Sequence, residues 1–131
     1  MQALLLDTNV LIRFFADDEP LSEMIERAES VVLHPVVYAE YMSGLDETTK
    51  NGRLMRRKFE EFLDDPVVSS CEVSGVTATY YRKIYQFLKG QGKMIPQNDI
   101  WLAASALEHG YEIYTHDRHF ELIPMVQLMV Y

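Results

Sequence analysis

Cysteine is almost absent from this sequence, since Cys71 is the only one among 131 residues. A single cysteine excludes an internal disulfide and any zinc site built from several cysteines. It is most economically a small buried hydrophobic residue, and a reducing, cytoplasmic setting is the default expectation. The chain is 48% hydrophobic, so it can bury a substantial core without disulfides, and we expect one domain over residues 1–131.

Long apolar runs, repeats and linkers rich in proline, glycine or serine are also missing. The apolar stretch from Ala3 to Leu6 is short, lacks a basic leader and leads directly into Asp7. It therefore predicts a strand rather than a signal peptide or a membrane span. Turn residues divide the rest of the sequence at regular intervals, which predicts one layered fold.

Basic charge is scarce as well, with 12 Lys and Arg against 20 Asp and Glu and a formal net charge of −8. At face value this charge argues against a protein that binds nucleic acid through bulk electrostatics. Four of the acids, however, can be gathered into one site, and setting them aside halves the negative excess. Divalent cations would offset the charges of such a site.

Short apolar runs alternate with segments of helical periodicity. The runs predict strands at Ala3–Leu6, Val31–Leu33, part of Val67–Val73, Glu112–Thr115 and Val126–Val130. The segments between them predict helices from Pro35 to Gly44, from Glu47 to Leu63, around Val76 to Gly90, and from Asn98 or Asp99 to Gly110. This alternation predicts an α/β fold, a three-layer α/β/α sandwich with a mostly parallel sheet of about five strands.

Four acidic residues fall where strands or helices reach one edge of such a sheet. Asp7 ends the first strand, Asp117 follows the fourth, Asp99 lies at a helix start and Glu40 lies inside a helix. Ligand sites in parallel α/β folds form beyond the carboxyl ends of the strands. Carboxylates gathered there repel one another unless a cation holds them, so the pattern indicates a metal site. Taken singly, each aspartate can also be an ordinary helix cap or turn residue.

The acids lie within four ordered motifs that span the chain. These are Asp7-Thr8-Asn9-Val10-Leu11, Glu40 with Gly44, Asn98-Asp99-Ile100-Trp101 on a helix ending at Gly110, and Thr115-His116-Asp117-Arg118-His119-Phe120. Together they resemble the motifs of PIN-domain nucleases, and the size of the chain is most similar to that of VapC-type toxins. The resemblance implies a single PIN domain and a cytoplasmic ribonuclease, the toxin component of a type II toxin–antitoxin system.

The resemblance also implies a metal-dependent mechanism. One or two Mg²⁺ or Mn²⁺ ions, which suit hard oxygen ligands, would be held by four catalytic carboxylates: Asp7, Glu40, Asp99 and Asp117. An activated water would then hydrolyse the RNA phosphodiester bond in line with the departing 3′ oxygen. Asn9 and Thr115 match polar family positions and are expected to hydrogen-bond the aspartates or the scissile phosphate. The implied partners are substrate RNA, a small antitoxin protein and a second copy of the chain in a homodimer.

Two features depart from the family pattern. The family commonly has Ser or Thr before the helix that carries the glutamate, whereas this chain has His34-Pro35, which leaves the start of that helix and the placement of Glu40 open. Beside Asp117 lie His116 and His119, which can contact substrate phosphate or act as surface partners of the acid.

Local positive charge is concentrated on the predicted helix from Glu47 to Leu63. Arg53 and Arg57 lie one turn apart there, and we expect them to bind RNA phosphates, because an acidic protein needs some positive surface to hold its substrate. A solvated, charged helix face explains the same residues equally well.

Two other functional classes compete with a nuclease. A catalytically silent PIN scaffold could bind RNA or protein, although such a scaffold has no need to gather four carboxylates. An aspartyl-phosphate phosphatase would use Asp7 as nucleophile and a second aspartate two residues later, where this chain has Asn9. A receiver domain would require paired acids near the first strand and a late lysine, and neither is present.

Overall fold

A five-stranded sheet forms the centre of the computed structural model, which describes residues 3–130 and, at Val130, the backbone alone. The strands are β1 Leu4–Leu6, β2 Val31–Leu33, β3 Val68–Ser70, β4 Glu112–Thr115 and β5 Gln127–Val130. They lie in the order β3-β2-β1-β4-β5, and each neighbouring pair is parallel. The predicted parallel sheet is therefore confirmed, and every predicted strand lies within a residue or two of its observed position.

Helices connect these strands. They are α1 Thr8–Phe15, α2 Glu19–Arg27, α3 Pro35–Ser43, α4 Lys50–Leu63, α5 Gly75–Gly90 and α6 Gln97–His109, with a 3₁₀ turn at Arg118–Leu122. The arrangement confirms the predicted α/β/α sandwich. Within residues 3–130, none of the helices has the length and apolar composition needed to cross a membrane.

The apolar core explains why β1 and β2 read as continuous hydrophobic runs. Every residue of both strands is buried, as expected for parallel strands covered on two faces. An aromatic cluster joins α1, α3 and α4, with Phe15, Tyr41 and Phe59 in contact at ring-centroid distances of 4.9 to 5.9 Å. Burying each such side chain stabilises the fold by roughly 1.5–3 kcal/mol. The cluster thus fixes the helix that follows β1 against the helix that follows β2.

Two helix starts differ from the prediction. Helix α6 begins at Gln97, not at Asn98 or Asp99, because the Pro96 carbonyl accepts the first amide, that of Asp99, at 3.0 Å. Asp99 is therefore inside the first turn, and its carboxylate is free of any capping role. Helix α4 begins at Lys50 rather than Glu47.

The residues before α4 form a turn instead. The Thr49 hydroxyl accepts a hydrogen bond from the Gly52 amide at 3.0 Å, and Asp46 accepts one from the Thr48 amide at 3.0 Å. Such side-chain capping ends the irregular segment and starts the helix. In α5, Val76 is 59% exposed, since the buried face of that helix is formed by Thr77, Ile84 and Leu88.

Candidate metal centre

Asp7 and Asp117 lie at the same edge of the sheet, because each follows one of two adjacent strands. Strand β1 pairs with β4, with Leu6 opposite Tyr114, and Asp7 and Asp117 follow just beyond the ends of these strands. Asp99 interacts electrostatically with both, and Glu40 does so with Asp7. The structure therefore brings the four predicted carboxylates into one electrostatically connected cluster at the carboxyl end of the sheet.

Asp7 is the most buried of the four, with 6% of its surface exposed. Its carboxylate accepts hydrogen bonds from the Thr8 amide at 2.7 Å, the Thr115 hydroxyl at 2.8 Å and the Asn9 amide group at 3.2 Å. Desolvation raises the pKa of Asp7, and the bonds from Thr115 and Thr8 partly oppose that rise. Asp7 is also the N-cap of α1, so the helix dipole favours its charged form.

The two predicted supporting residues contact Asp7 and also join it to the segment after β4. Asn9 Oδ1 accepts a hydrogen bond from the His116 amide at 3.0 Å, which directs the Asn9 Nδ2 group towards Asp7. The Thr115 hydroxyl donates to Asp7 and accepts from the Asp117 amide at 2.9 Å. Both side chains thereby orient the Asp7 carboxylate and hold the loop that carries Asp117.

Asp99, Asp117 and His119 form the tightest donor group in the cluster, with one ligand atom of each lying within 4.8 Å of the others. His119 Nδ1 lies 3.3 Å from Asp99 Oδ2 and 3.1 Å from Asp117 Oδ2. The pKa of Asp99 is raised to about 6, first by desolvation and then by Asp7 and Asp117, against the lowering effect of His119. The carboxylate of Asp99 is therefore ionised at neutral pH only at a cost in stability, which a bound cation would reduce.

Glu40 stands apart from that donor group. It is exposed on α3, and its Oε1 accepts a hydrogen bond from the Thr8 hydroxyl at 3.1 Å. Sequence reasoning did not assign a role to Thr8, although it stands between the two assigned motif residues Asp7 and Asn9. Glu40 also borders an apolar cavity of about 330 Å³ between α1, α3 and α4, where Ile12 and Met55 are among the lining residues.

The donor set fits a hard divalent cation. Carboxylate oxygens are the ligands that Mg²⁺ and Mn²⁺ prefer, and an incomplete protein shell leaves positions for water and phosphate oxygens. The exposed side of the cluster, formed by Glu40 and the half-exposed His119, would admit such ligands. The buried side, formed by Asp7 with its three hydrogen bonds, supplies a fixed anchor.

The basic residues of α4 divide into two groups. Arg56 forms ion pairs with Glu47 and Glu60, and Lys58 lies 3.5 Å from Asp17, so these two are engaged within the fold. The Arg53 side chain donates a hydrogen bond to the Glu47 carbonyl at 3.1 Å, and among the described residues it forms no ion pair with an acid. Arg57 is exposed, and within residues 3–130 no hydrogen bond or ion pair is recorded for its side chain. The predicted binding of RNA phosphates by Arg53 and Arg57 stays a prediction.

Comparison with known proteins agrees with this geometry. The ribonuclease VapC1 of Methanocaldococcus jannaschii is 26% identical over 132 residues, which span 98% of this chain and 86% of that protein. The fold matches that of VapBC2 from Rickettsia felis bound to a promoter DNA fragment, with a TM-score of 0.87, 20% identity and 98% of each chain covered. VapBC-1 from nontypeable Haemophilus influenzae matches with a TM-score of 0.82 and 25% identity, again over 98% of each chain. Residues 4–124 match the PIN domain, and the chain belongs to the PIN domain family.

Proposed function

We propose that this protein is a metal-dependent endoribonuclease and the toxin component of a type II toxin–antitoxin system. The observation that carries the proposal is the convergence of Asp7, Glu40, Asp99 and Asp117 at one edge of the sheet of a PIN domain. A relative covering nearly the whole chain is a ribonuclease, which supports RNA as the substrate.

Each residue of the cluster has a distinct part in this proposal. Asp7, Asp99 and Asp117 would hold Mg²⁺ or Mn²⁺ from the sheet side, and Glu40 would complete the site from α3. When bound, the cation supplies an activated water and neutralises charge on the scissile phosphate. Thr115 and Asn9 keep Asp7 in one orientation, which holds the ligand positions fixed before substrate arrives.

RNA would be held by the positive side chains that the fold leaves available on α4. Arg57 and Arg53 are the proposed phosphate contacts, because Arg56 and Lys58 are already paired with acids. Replacing Arg57 by glutamine should weaken RNA binding and reduce its salt dependence while leaving metal binding unchanged. Arg56→Gln is the matched control, since it removes the same charge from a paired side chain.

Two protein partners are part of the proposal. A small antitoxin would cover the active site by inserting an apolar segment into the 330 Å³ cavity beside Glu40, where Ile12 is 56% exposed. Solved structures with this fold include a toxin–antitoxin complex, which supports this occupant. Inspecting the neighbouring gene for a small DNA-binding protein would identify the antitoxin. A homodimer is also proposed, and light scattering after gel filtration tests it directly.

The decisive experiment replaces single carboxylates by their amides. Asp7→Asn and Asp99→Asn should each abolish cleavage of total RNA in the presence of Mn²⁺, and EDTA should do the same to the native protein. Asp64→Asn, which changes an exposed acid at the end of α4, is the control and should cleave normally. Full activity of the Asp99→Asn variant, or of the native protein in excess EDTA, would refute the proposal.

A catalytically silent PIN scaffold, the alternative function, would give different results in metal binding and RNA cleavage. Titration calorimetry with Mn²⁺ would then show no binding, and the native protein would not cleave total RNA. Binding of Mn²⁺ at the carboxylates without any cleavage would retain the metal site but remove the ribonuclease activity.

A further inference from the structure

A buried histidine connects the two helices that carry Glu40 and Asp99. His34 has no exposed surface, follows β2 and precedes α3. Its Nδ1 accepts a hydrogen bond from the Val36 amide at 3.1 Å, and its Nε2 lies 2.9 Å from the hydroxyl oxygen of Ser105 on α6. Ser105 is also wholly buried.

The hydrogen bond at Nδ1 determines which tautomer the ring adopts. A backbone amide can only donate, so Nδ1 must be unprotonated and the ring proton must lie on Nε2. Nε2 therefore donates to Ser105 Oγ. Burial lowers the pKa of His34 to about 4, in keeping with a neutral ring at physiological pH.

The position of this bridge relates it to the metal centre. Glu40 lies six residues after His34 on α3, and Asp99 lies six residues before Ser105 on α6. At 1.5 Å per residue, each carboxylate is about 9 Å along its helix from the bridge. The two helices also pack directly against each other. A shift of the α3 start relative to α6 would therefore change the separation of Glu40 from Asp99.

We propose that His34 is a positioning residue, and that its hydrogen bond to Ser105 fixes α3 against α6 and so sets the spacing of the Glu40 and Asp99 carboxylates. The inference rests on the proposed metal site, although not on RNA being the substrate. A serine or threonine at position 34 could cap α3 through its hydroxyl but would be too short to reach Ser105. The imidazole performs both tasks with its two nitrogen atoms.

Amide substitutions can separate these two tasks. In His34→Asn the side-chain oxygen replaces Nδ1 as the acceptor for Val36, but the side chain ends before Ser105. In His34→Gln the amide nitrogen replaces Nε2 as the donor to Ser105, but the cap of α3 is lost. Ser105→Ala removes the acceptor of the bridge and leaves the cap intact.

The measurements are Mn²⁺ affinity by titration calorimetry and melting temperature in EDTA, both on the full chain. We expect His34→Asn and Ser105→Ala to weaken Mn²⁺ binding about tenfold, the effect typical of lost support around a metal ligand. His34→Gln should bind Mn²⁺ within about threefold of the native protein yet melt at a lower temperature than His34→Asn. The order of metal affinities and the order of stabilities would thus be opposite for the two variants.

Other outcomes overturn the inference. Native Mn²⁺ affinity in His34→Asn and Ser105→Ala would show that the bridge does not position the ligands. Affinities that simply follow the melting temperatures would reduce His34 to a structural role, and nitrogen-detected NMR showing the proton on Nδ1 would contradict the bridge itself. A native protein that binds no Mn²⁺ overturns the metal site and this inference together. Mn²⁺ binding without RNA cleavage would refute only the ribonuclease.

Discussion

Replacing Asp99 by asparagine should stabilise the metal-free protein while it destroys the metal centre. Asp99 is an ionisable group with a side chain only 16% exposed, placed near Asp7 and Asp117. Its burial removes water from the charge, and the two neighbouring carboxylates repel it. Asparagine has nearly the same shape and carries no charge, so the substitution removes the electrostatic penalty without opening a cavity.

The raised pKa gives the size of this penalty. The pKa of Asp99 rises from 3.8 to about 6 on folding, which corresponds to roughly 3 kcal/mol of lost stability once the group is ionised. Below pH 3.8 the carboxyl is protonated in both the folded and the unfolded state, and the penalty is absent. It grows as the pH rises and is complete above about pH 6. We therefore expect Asp99→Asn to gain roughly 1–3 kcal/mol at pH 7.5 and almost nothing at pH 4.

Urea denaturation in EDTA at both pH values measures the effect. Asp64→Asn serves as the control, because that acid is exposed at the C-terminal end of α4 and its replacement should raise the free energy of unfolding by no more than about 0.3–1 kcal/mol. Adding Mn²⁺ should stabilise the native protein and not the Asp99→Asn variant, since a ligand that binds only the folded state adds stability according to its affinity. If Asp99→Asn is no more stable than the native protein at pH 7.5, or gains equally at pH 4, the electrostatic reasoning is wrong.

Three further predictions concern the fold. Gly52→Ala should lose at least about 2 kcal/mol in urea denaturation, because a Cβ atom would lie 1.8 Å from the Asp46 carbonyl oxygen. Gly75→Ala, also in a first helical turn but with nothing within 4 Å, should be neutral or stabilising. Phe59→Ala, at 1% exposure, should lose about 3–5 kcal/mol of stability by the same assay. His34 has its pKa lowered to about 4 from 6.5, so the stability of the native protein relative to His34→Gln should fall by up to roughly 3 kcal/mol as the pH falls between these values; the comparison cancels the opposite effect of Asp99.

The sheet could be predicted because its strands carry an unambiguous signal. Leu4–Leu6 and Val31–Leu33 occur where the apolar runs place them, since parallel strands covered on both faces require continuous hydrophobic sequence. Helix starts carry a weaker signal. The starts of α4 and α6 depend on which backbone carbonyl or hydroxyl accepts the first free amide, as Thr49 and Pro96 show, and several nearby residues could have filled that role.

The candidate site also contains some features that could be predicted from the sequence and others that could not. The proximity of Asp7 and Asp117 could be predicted from their order along the chain, because the parallel topology brings the ends of β1 and β4 together. The contacts of Asn9 and Thr115 with Asp7 were also predicted, from the resemblance of their motifs. The contacts of Thr8 with Glu40 and of His34 with Ser105 were not, because they join segments that are distant in the sequence and that no motif relates. One signal was available for His34: it stands between a buried strand and a proline that starts a helix, where an N-cap is required.

Burial perturbs His34 and Asp99 in opposite ways, and the two effects overlap between about pH 4 and pH 6. Acidification destabilises the folded protein through His34, because a buried imidazole must gain a proton, and relieves it through Asp99, because a buried carboxylate loses its charge. The metal-free protein therefore bears a penalty at neutral pH that lies in the carboxylates alone, while the neutral His34 bridge is fully formed there. A bound cation removes the penalty at the carboxylates without disturbing the His34 bridge. Neutral pH is therefore both the pH at which the bridge is fully formed and the pH at which metal binding adds most to the stability of the protein.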